Sequence, residues 1–391
     1  MKILHIGTFL QGGAGRILVD LAIEQQRTGH AVSVVLSKTT SGGYEHYPAH
    51  LEELHQHAIP VQLLDSTSHR DTSANMAVVD ALEAAIPAGT EPEVIHTHAT
   101  TPSVIAALFA GVRRRPIALV QTIHGSELHE IREHALDVTV LNRVDCVTVP
   151  AQKSAQLLES LGVGRSRVEV VPFAIRRSCA PLEPNDEEAV LKLIRARRAG
   201  TFVVACVGRV GERKNQRLLV EAIRLLPPNF RIHVIFVGEG ELDALAAAAD
   251  TLGVSDRIQI LGYRRAARRI AAMADAMVLP SRSEGQPLAL LEAFQDGTLV
   301  ITSDIAELKE LVTDGITGFS FEAGNAAALA NRLVQVAALP NPSRHAIRAL
   351  ARARHVEQFS TSAMARRYDE VYASARGGSV DPIRPLVVPA A

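Results

Sequence analysis

The sequence predicts an α/β fold of two doubly wound units, each a parallel sheet wrapped by helices, with a helical region at the C-terminal end. Three observations carry this. Short apolar runs bounded by polar turns alternate with segments whose apolar residues recur at helical spacing, which is the pattern of parallel strands joined by helical crossovers. The alternation stops near residue 172, gives way to a charged, Pro-containing stretch, and restarts at Thr201. A chain of 391 residues with 47% hydrophobic content can fill two cores.

In the first half, the run 2–6 leads into Gly7-Thr8-Phe9-Leu10-Gln11-Gly12-Gly13-Ala14-Gly15-Arg16, then Ile17, Leu18, Leu21 and Ala22 at helical spacing. This reads as strand, glycine-rich loop and helix. Gly12 and Gly13 let backbone approach a phosphate closely, although the run is not G-x-G-x-x-G and has no P-loop lysine. Further strands are expected at 31–36, 94–96, 117–122 and 146–149, and helices at 74–86, 102–112 and 151–161. His96 and His98 end one strand, and His124-Gly125 follows another. Open parallel sheets bind ligands at the carboxyl ends of their strands, so His98 and His124 are placed for chemistry, His124 foremost because Gly125 leaves room beside it. A metal site at His96 and His98 lacks a third ligand in the sequence.

Residues 168–172 close the first half. The stretch 178–200, ending in Arg195-Ala196-Arg197-Arg198, reads as a linker with a lead-in helix. From Thr201 six strands alternate with helices again, at 202–207, 233–237, 258–261, 276–279 and 298–302 among others, with no sequence repeat linking the halves. Arg209 and Lys214 lie in the loop after the first of these strands, placed to face an anion. Helices at 326–338, 343–358 and 361–374 follow. The expected boundaries are 1–172 and 201–358 for the two units and 173–200 for the connection. Residues 359–376 form a helix packing back towards the first unit, and 377–391 a mobile tail.

The stretch 278–297, VLPSRSEGQPLALLEAFQDG, organises the second half. A strand ends, a polar loop carries Glu284, Pro287 suits the first helical position, Leu288, Leu291 and Phe294 share a face, and Gly297 suits the stop. Glu292 lies ~7–8 Å along the helix from Pro287 at ~1.5 Å per residue. Two carboxylates therefore straddle a helix N-terminus, itself an anion site. A nucleotide sugar presents a diphosphate with vicinal hydroxyls on both sides, and a carboxylate accepts two hydrogen bonds from a diol.

Composition narrows the function. Net charge is −1, which offers no global field for nucleic acid, and aromatics are 4% with no Trp, leaving few stacking platforms. Cys146, Cys179 and Cys206 show no metal spacing and read as reduced thiols. No leader precedes the first strand and no apolar stretch reaches ~18 residues. The expected location is the cytosol, with peripheral attachment to the membrane left open. That option rests on Arg113, Arg114 and Arg115, which end an apolar helical pattern.

Taken in order, GGAGR, HTH, IHG, VGR with Lys214 five residues past Arg209, VGEG, LGY, SRSEG with LLEA, and DGITGF resemble the retaining glycosyltransferases of family 4. The match is specific over 201–321 and looser before it. The resemblance implies the GT-B fold of two facing Rossmann-like domains and a nucleotide-diphosphate sugar as donor. It implies no metal and no further cofactor. A sugar or lipid-linked saccharide would be the acceptor, in polysaccharide, lipopolysaccharide or glycolipid assembly. It places Glu284 near the donor sugar's hydroxyls and Glu292 near the ribose, with Gly285, Gln286 and Leu288 beside them. Arg209 and Lys214 would clamp the diphosphate, Gly12 and Gly13 would close over it from the facing domain, and His124 would lie by the reaction centre. No residue stands out as a covalent nucleophile. Members are described as using a front-face route, in which a leaving-phosphate oxygen helps deprotonate the acceptor. Three departures bear on donor identity. Pro287 replaces a common Gly and offers no N–H, Asp304 to Glu310 lacks the usual glycine pair, and Phe173-Ala174 replaces the common Asn-Gly.

Two competing readings share these motifs, a GT-B-fold nucleotide-sugar epimerase and a non-catalytic nucleotide-sugar-binding partner. Product analysis with and without acceptor separates them. A dinucleotide oxidoreductase fits worse, because the glycine pattern is wrong for it.

Overall fold

The structure, a computed structural model, describes residues 1–8, 10–38, 47–65, 71–86, 89–113, 116–124, 135–177 and 180–377. The chain divides into two compact units, one of residues 1–149, 155–171 and 362 onward, the other of 150–154 and 172–361.

In chain order the first half runs β1 Lys2–Ile6, α1 Gly12–Arg27, β2 Ala31–Ser37, α2 Tyr47–Gln56, β3 Val61–Leu64, α3 Thr72–Ala85 and β4 Val94–Thr97. It continues with α4 Thr100–Arg113, β5 Ala118–Thr122, α5 Ala135–Leu141, β6 Cys146–Val149, α6 Gln152–Ser160 and β7 Val168–Val170. The strands form one sheet in the order β3-β2-β1-β4-β5-β6-β7, with every pair parallel. Helices cover both faces, so β4 and β5 are buried along their whole length, including the polar side chains of His96, Thr97, Gln121 and Thr122. Ile6, Ile95, Phe109 and Val147 fill one face, and Leu18, Val34 and Leu54 the other. β3 and α2 were not foreseen; β3 is a four-residue edge strand that is only partly buried, and α2 has a weak apolar stripe.

The second half runs α7 Pro184–Arg198, β8 Phe202–Val207, α8 Gln216–Arg224, β9 Ile232–Val237, α9 Leu242–Thr251, β10 Ile258–Gly262, α10 Ala267–Ala271 and β11 Ala276–Leu279. Then come α11 Leu288–Asp296, β12 Leu299–Ser303, α12 Ala306–Lys309, β13 Phe319–Phe321, α13 Ala326–Ala337, α14 Asn341–Gln358 and α15 Thr361–Ala375. Six parallel strands are ordered β10-β9-β8-β11-β12-β13. Strand periodicity is visible in β8, where Phe202, Val204 and Cys206 enter one core and Val203 and Ala205 the other. Ala189 and Leu193 of α7 pack into that second core, so the charged stretch read as a lead-in is part of the second unit.

Helix ends in the second unit are held by arginines. Arg352 donates to the Asp296 carbonyl at 2.6 Å and Arg344 to the Ala337 carbonyl at 2.6 Å, the cation placement that complements a helix C-terminus. Gly297 ends α11 in the left-handed conformation at φ 70° as its position predicts. Among the described residues no helix is long and apolar enough to cross a membrane. The tail from residue 378, Cys179, and Arg114 and Arg115 lie outside the described residues.

Both sheets reverse their strand order, the first between β1 and β4 and the second between β8 and β11. A crevice opens at the carboxyl ends of the strands at such a reversal. The loops that leave β8 and β11 are 208–215 and 280–287, which carry Arg209, Lys214 and Glu284.

Candidate active site

In the second unit, Lys214 donates to both oxygens of Glu284, at 2.7 and 2.9 Å. Ser281 Oγ donates to Glu284 Oε1 at 2.5 Å and Arg213 Nη1 approaches Oε2 at 3.4 Å. The Glu284 side chain is 3% exposed and that of Lys214 16%. The sequence assigned these two groups to different parts of a ligand; the fold pairs them with each other. Arg213 and Ser281 were not anticipated, because a loop Arg between Glu212 and Lys214 has no pattern to distinguish it.

The loop after β8 is tightly latched. Gln216 donates to the Arg209 carbonyl at 3.0 Å and accepts from Gly211 N–H at 3.2 Å, and Asn215 turns into α8 at φ 53°. The Gly-Glu-Gly turn lies directly against this loop. A Cβ on Gly238 would sit 2.2 Å from the Gly208 carbonyl oxygen, and one on Gly240 2.1 Å from that of Val210. Two glycines are therefore needed for backbone approach. Between them Glu239 accepts from Arg209 at 2.9 Å, with the Arg209 side chain 74% exposed.

On the other loop, Gln286 makes a two-point clamp on Phe173, accepting from its N–H at 2.7 Å and donating to its carbonyl at 3.0 Å. Gln286 is buried, so an amide expected to read the ligand is committed to backbone in this structure. It holds the very Phe173-Ala174 segment where the sequence departs from the family pattern. Pro287 is the residue before α11, with ψ 117°, and Leu288 is the first helical residue. The correction is one position. Proline can keep this extended conformation while the N–H groups after it, which lack acceptors inside the helix, point out of the N-terminus. Glu292 is half-buried in α11, where it lines a crevice of about 10 Å³ with Val207, Arg268 and Met277. That space holds a water at most.

In the first unit, Gly12 opens α1 at φ +52°, and Gly12 and Gly13 are exposed. Gly15 is the glycine that packing demands, since its Cβ would lie 2.3 Å from the Leu10 carbonyl carbon. His124 follows β5 and meets a cluster that sequence reading did not assemble. His124 Nε2 is 3.1 Å from His98 Nδ1, His98 Nε2 is 3.0 Å from His5 Nδ1, and His5 Nε2 is 2.7 Å from Gln25 Oε1. His96 lies beside them with Nδ1 2.7 Å from Tyr372 Oη and Nε2 2.7 Å from Thr122 Oγ1. The register of β1 against β4 sets His5 opposite His96, and the two-residue strand period brings His98 near. Burial holds His5 and His124 down at about 4 and His96 and His98 well below the ordinary imidazole value.

His5 supplies the third imidazole missing from the sequence reading, and the ligand nitrogens of His5, His96 and His98 lie within 4.8 Å of one another. The rings do not converge as ligands. His96 stacks on His98 with centroids 4.5 Å apart, and both His96 nitrogens are engaged by hydroxyls, whereas metal ligands aim their lone pairs at one point. Cys146 and Cys206 are buried and free, with their thiols pushed up to about 12 by burial, which makes them inert core residues.

Residues 11–177 match the family described as Glycosyltransferase Family 4 and residues 201–338 match Glycosyl transferases group 1. Among curated proteins the chain is 26% identical over 257 residues to the UDP-Gal:alpha-D-GlcNAc-diphosphoundecaprenol alpha-1,3-galactosyltransferase of Escherichia coli, covering 62% of this chain and 66% of that protein. It is 28% identical over 415 residues to glycogen synthase of Mycobacterium tuberculosis, covering 95% and 93%. Among solved structures it resembles Anabaena HepE in complex with UDP-glucose, at TM-score 0.77 and 23% identity over 96% of this chain and 100% of that one. With two parallel-sheet units of the expected kind and a family match in each, this chain belongs to the family 4 glycosyltransferases and is a transferase of the GT-B class.

Proposed function

We propose that this glycosyltransferase is a retaining, metal-independent enzyme that takes a sugar from a nucleotide-diphosphate sugar and joins it to an acceptor hydroxyl. The observation that carries the reading is the Lys214–Glu284 pair at the strand-order reversal of the second sheet, beside the N-terminus of α11. The pair suits a diphosphate sugar because it offers a cation and an acceptor a few ångströms apart. An ammonium has three donors, two of which serve Glu284, so the third can meet a phosphate oxygen. Glu284 already accepts four hydrogen bonds, so it would meet a sugar hydroxyl by exchanging the weakest of them, the 3.4 Å contact from Arg213. Its carboxylate is held by Lys214, Ser281 and Arg213, which suits it to orienting a substrate better than to attacking one.

In this mechanism the bond from the anomeric carbon to the phosphate oxygen breaks and its electron pair goes to the diphosphate. Lys214, Arg209 and the N–H groups of α11 stabilise the growing charge more than the ground state. The acceptor oxygen forms the new bond on the same face, and its proton passes to the departing phosphate oxygen. Glu292 holds the ribose. The fixed cations replace a metal, so chelators leave the rate unchanged. Gln286 acts through Phe173.

The names of the relatives support a UDP-type donor and a saccharide acceptor, free or lipid-linked, with peripheral membrane contact through Arg113 to Arg115 as the finer part of the reading. The deciding experiment is a thermal-shift panel of nucleotide sugars, followed by transfer to saccharide acceptors and assignment of the anomeric proton couplings in the product. Retention supports the reading, and an inverted product or turnover without acceptor overturns it. Co-sedimentation with anionic vesicles at low but not high salt, lost in a triple Arg→Gln variant, tests the membrane part.

A further inference from the structure

The first unit buries a row of imidazoles that no step above uses. From the surface inward the row is His124, His98, His5 and then Gln25 of α1, and each link joins one nitrogen to one partner at 2.7–3.1 Å. Gln25 also donates to Tyr372 Oη at 2.9 Å, and Tyr372 lies 2.7 Å from His96 Nδ1. Burial keeps the rings neutral, and a neutral imidazole has one donor and one acceptor nitrogen. The direction of every link is then set by its neighbour. With the Gln25 carbonyl on His5, His5 must carry its proton on Nε2 and accept at Nδ1. His98 must then donate from Nε2 and accept at Nδ1, and His124 must donate from Nε2. On the other side the Gln25 amide nitrogen gives to Tyr372, which gives to His96, whose Nε2 gives to Thr122. Turning the Gln25 amide over reverses every bond together, and no single link can reverse alone without setting two donors or two acceptors face to face, at a cost of a buried unmade bond.

We propose that Gln25, His5 and His98 form a single hydrogen-bond chain whose sense is set by the Gln25 amide, and that with its carbonyl on His5 and its amide nitrogen on Tyr372, as here, the chain holds His124 as a neutral imidazole protonated on Nε2, with Nδ1 the acceptor. His5 and His98 are positioning residues and Gln25 is the anchor. The chain ends on an amide that takes no proton, so it is a tautomer lock and not a conduit. With its Nε2 proton committed to His98, His124 cannot serve as a general acid. The functional half rests on the reading that puts His124 at the reaction centre; the tautomer half does not.

The experiment uses the full-length enzyme with ¹⁵N-labelled histidine. Two-bond ¹⁵N–¹H correlations distinguish the two neutral tautomers from the cation at each ring. The expected result is a single neutral Nε2–H form at His5, His98 and His124. In Gln25→Met, which keeps the volume and removes the anchor, His124 should show a mixture of tautomers. In that variant kcat should fall about tenfold while the donor KM moves less than about twofold. His98→Gln, which can still accept and donate, should recover more of kcat than His98→Leu. A Nδ1–H or cationic His124 in the wild type, or an unchanged His124 spectrum in Gln25→Met with its fold intact by circular dichroism, overturns the lock. A changed tautomer with unchanged kcat keeps the lock and overturns its catalytic use. Absence of transfer with every donor fails the wider functional reading while the spectra still decide the chain.

Discussion

Lys214 and Glu284 sit at opposite ends of a strand-order reversal in sequence terms, seventy residues apart, yet share a doubly bonded ion pair of 2.7 and 2.9 Å. Each leaves its own strand, β8 or β11, and only the parallel pairing of those strands makes the two loops neighbours. A motif that looks like two separate signatures in the sequence is one electrostatic unit.

Removing one member should therefore separate stability from activity. Lys214→Met leaves a nearly buried carboxylate with Ser281 and Arg213 alone, and should cost about 1–3 kcal/mol in urea unfolding. The double variant Lys214→Met/Glu284→Gln removes the stranded charge, so it should recover part of that stability. It should recover none of the transfer rate. Recovery of both would mean that the pair serves the fold only.

Arg209 makes the opposite case. Its bond to Glu239 is on the surface, and exposed pairs of this kind contribute about 0–1 kcal/mol. Arg209→Ala should unfold within about 0.5 kcal/mol of the parent and still lose turnover, if the guanidinium acts on the leaving diphosphate. A loss seen in KM alone would remove the transition-state part of that role. Arg209→Lys is a further probe and not a neutral control, because an ammonium cannot reproduce the planar fork.

Glu292 is tested by affinity. Glu292→Ala should weaken binding of the nucleoside diphosphate itself, measured by calorimetry, by about tenfold, the worth of a charged hydrogen bond. Unchanged nucleotide affinity together with lost transfer would move Glu292 away from the ribose.

The glycines of the Gly-Glu-Gly turn give a packing test. Gly238 has φ +149° and its Cβ would meet the Gly208 carbonyl oxygen at 2.2 Å, whereas Gly253 has φ +66° with open space around it. Gly253→Ala should cost about 1 kcal/mol for the left-handed backbone alone. Gly238→Ala should cost about 2 kcal/mol or more, since backbone must also move, and should displace Arg209. Equal melting temperatures for the two variants would contradict this.

Much of the fold was legible because parallel strands buried on both faces are short apolar runs, such as 202–207 and 276–279, and their alternation with helical patterns separates them from buried helix segments. Glu284 and Lys214 were legible as types at spacings, and their union was not, since strand order lies outside any local pattern. Gln286 was legible as a polar residue of the loop before α11, and its clamp on Phe173 was not, for a related reason. Its neighbours pointed to a ligand, while its partner Phe173 is 113 residues away. The histidine row was hidden most completely: His5 reads as one polar residue in an apolar strand, and nothing in the sequence says that β1 pairs with β4. The two-residue spacing of His96, in β4, and His98, just past its end, was the single signal available.

That row also fixes how the protein should respond to acid. His5 is held neutral in the fold at about 4, against 6.5 when unfolded. Between these values the unfolded chain binds a proton that the folded one refuses, so stability falls as pH falls. The contribution is full above pH 6.5, erodes through the window, and is lost below about pH 4. For His5 alone the shift corresponds to about 3 kcal/mol at ~1.4 kcal/mol per unit, and His96, His98 and His124 are lowered in the same direction. Urea unfolding at about pH 7.5, 6.5, 5.5, 4.5 and 3.5, which spans the window at one-unit steps, should show a flat upper limb and then a steep decline. His5→Gln, which can keep the bonds to Gln25 and His98 without titrating, should make the decline shallower. A decline that begins only below about pH 4.5, where carboxylates titrate, would mean that the imidazoles are not held neutral by the fold.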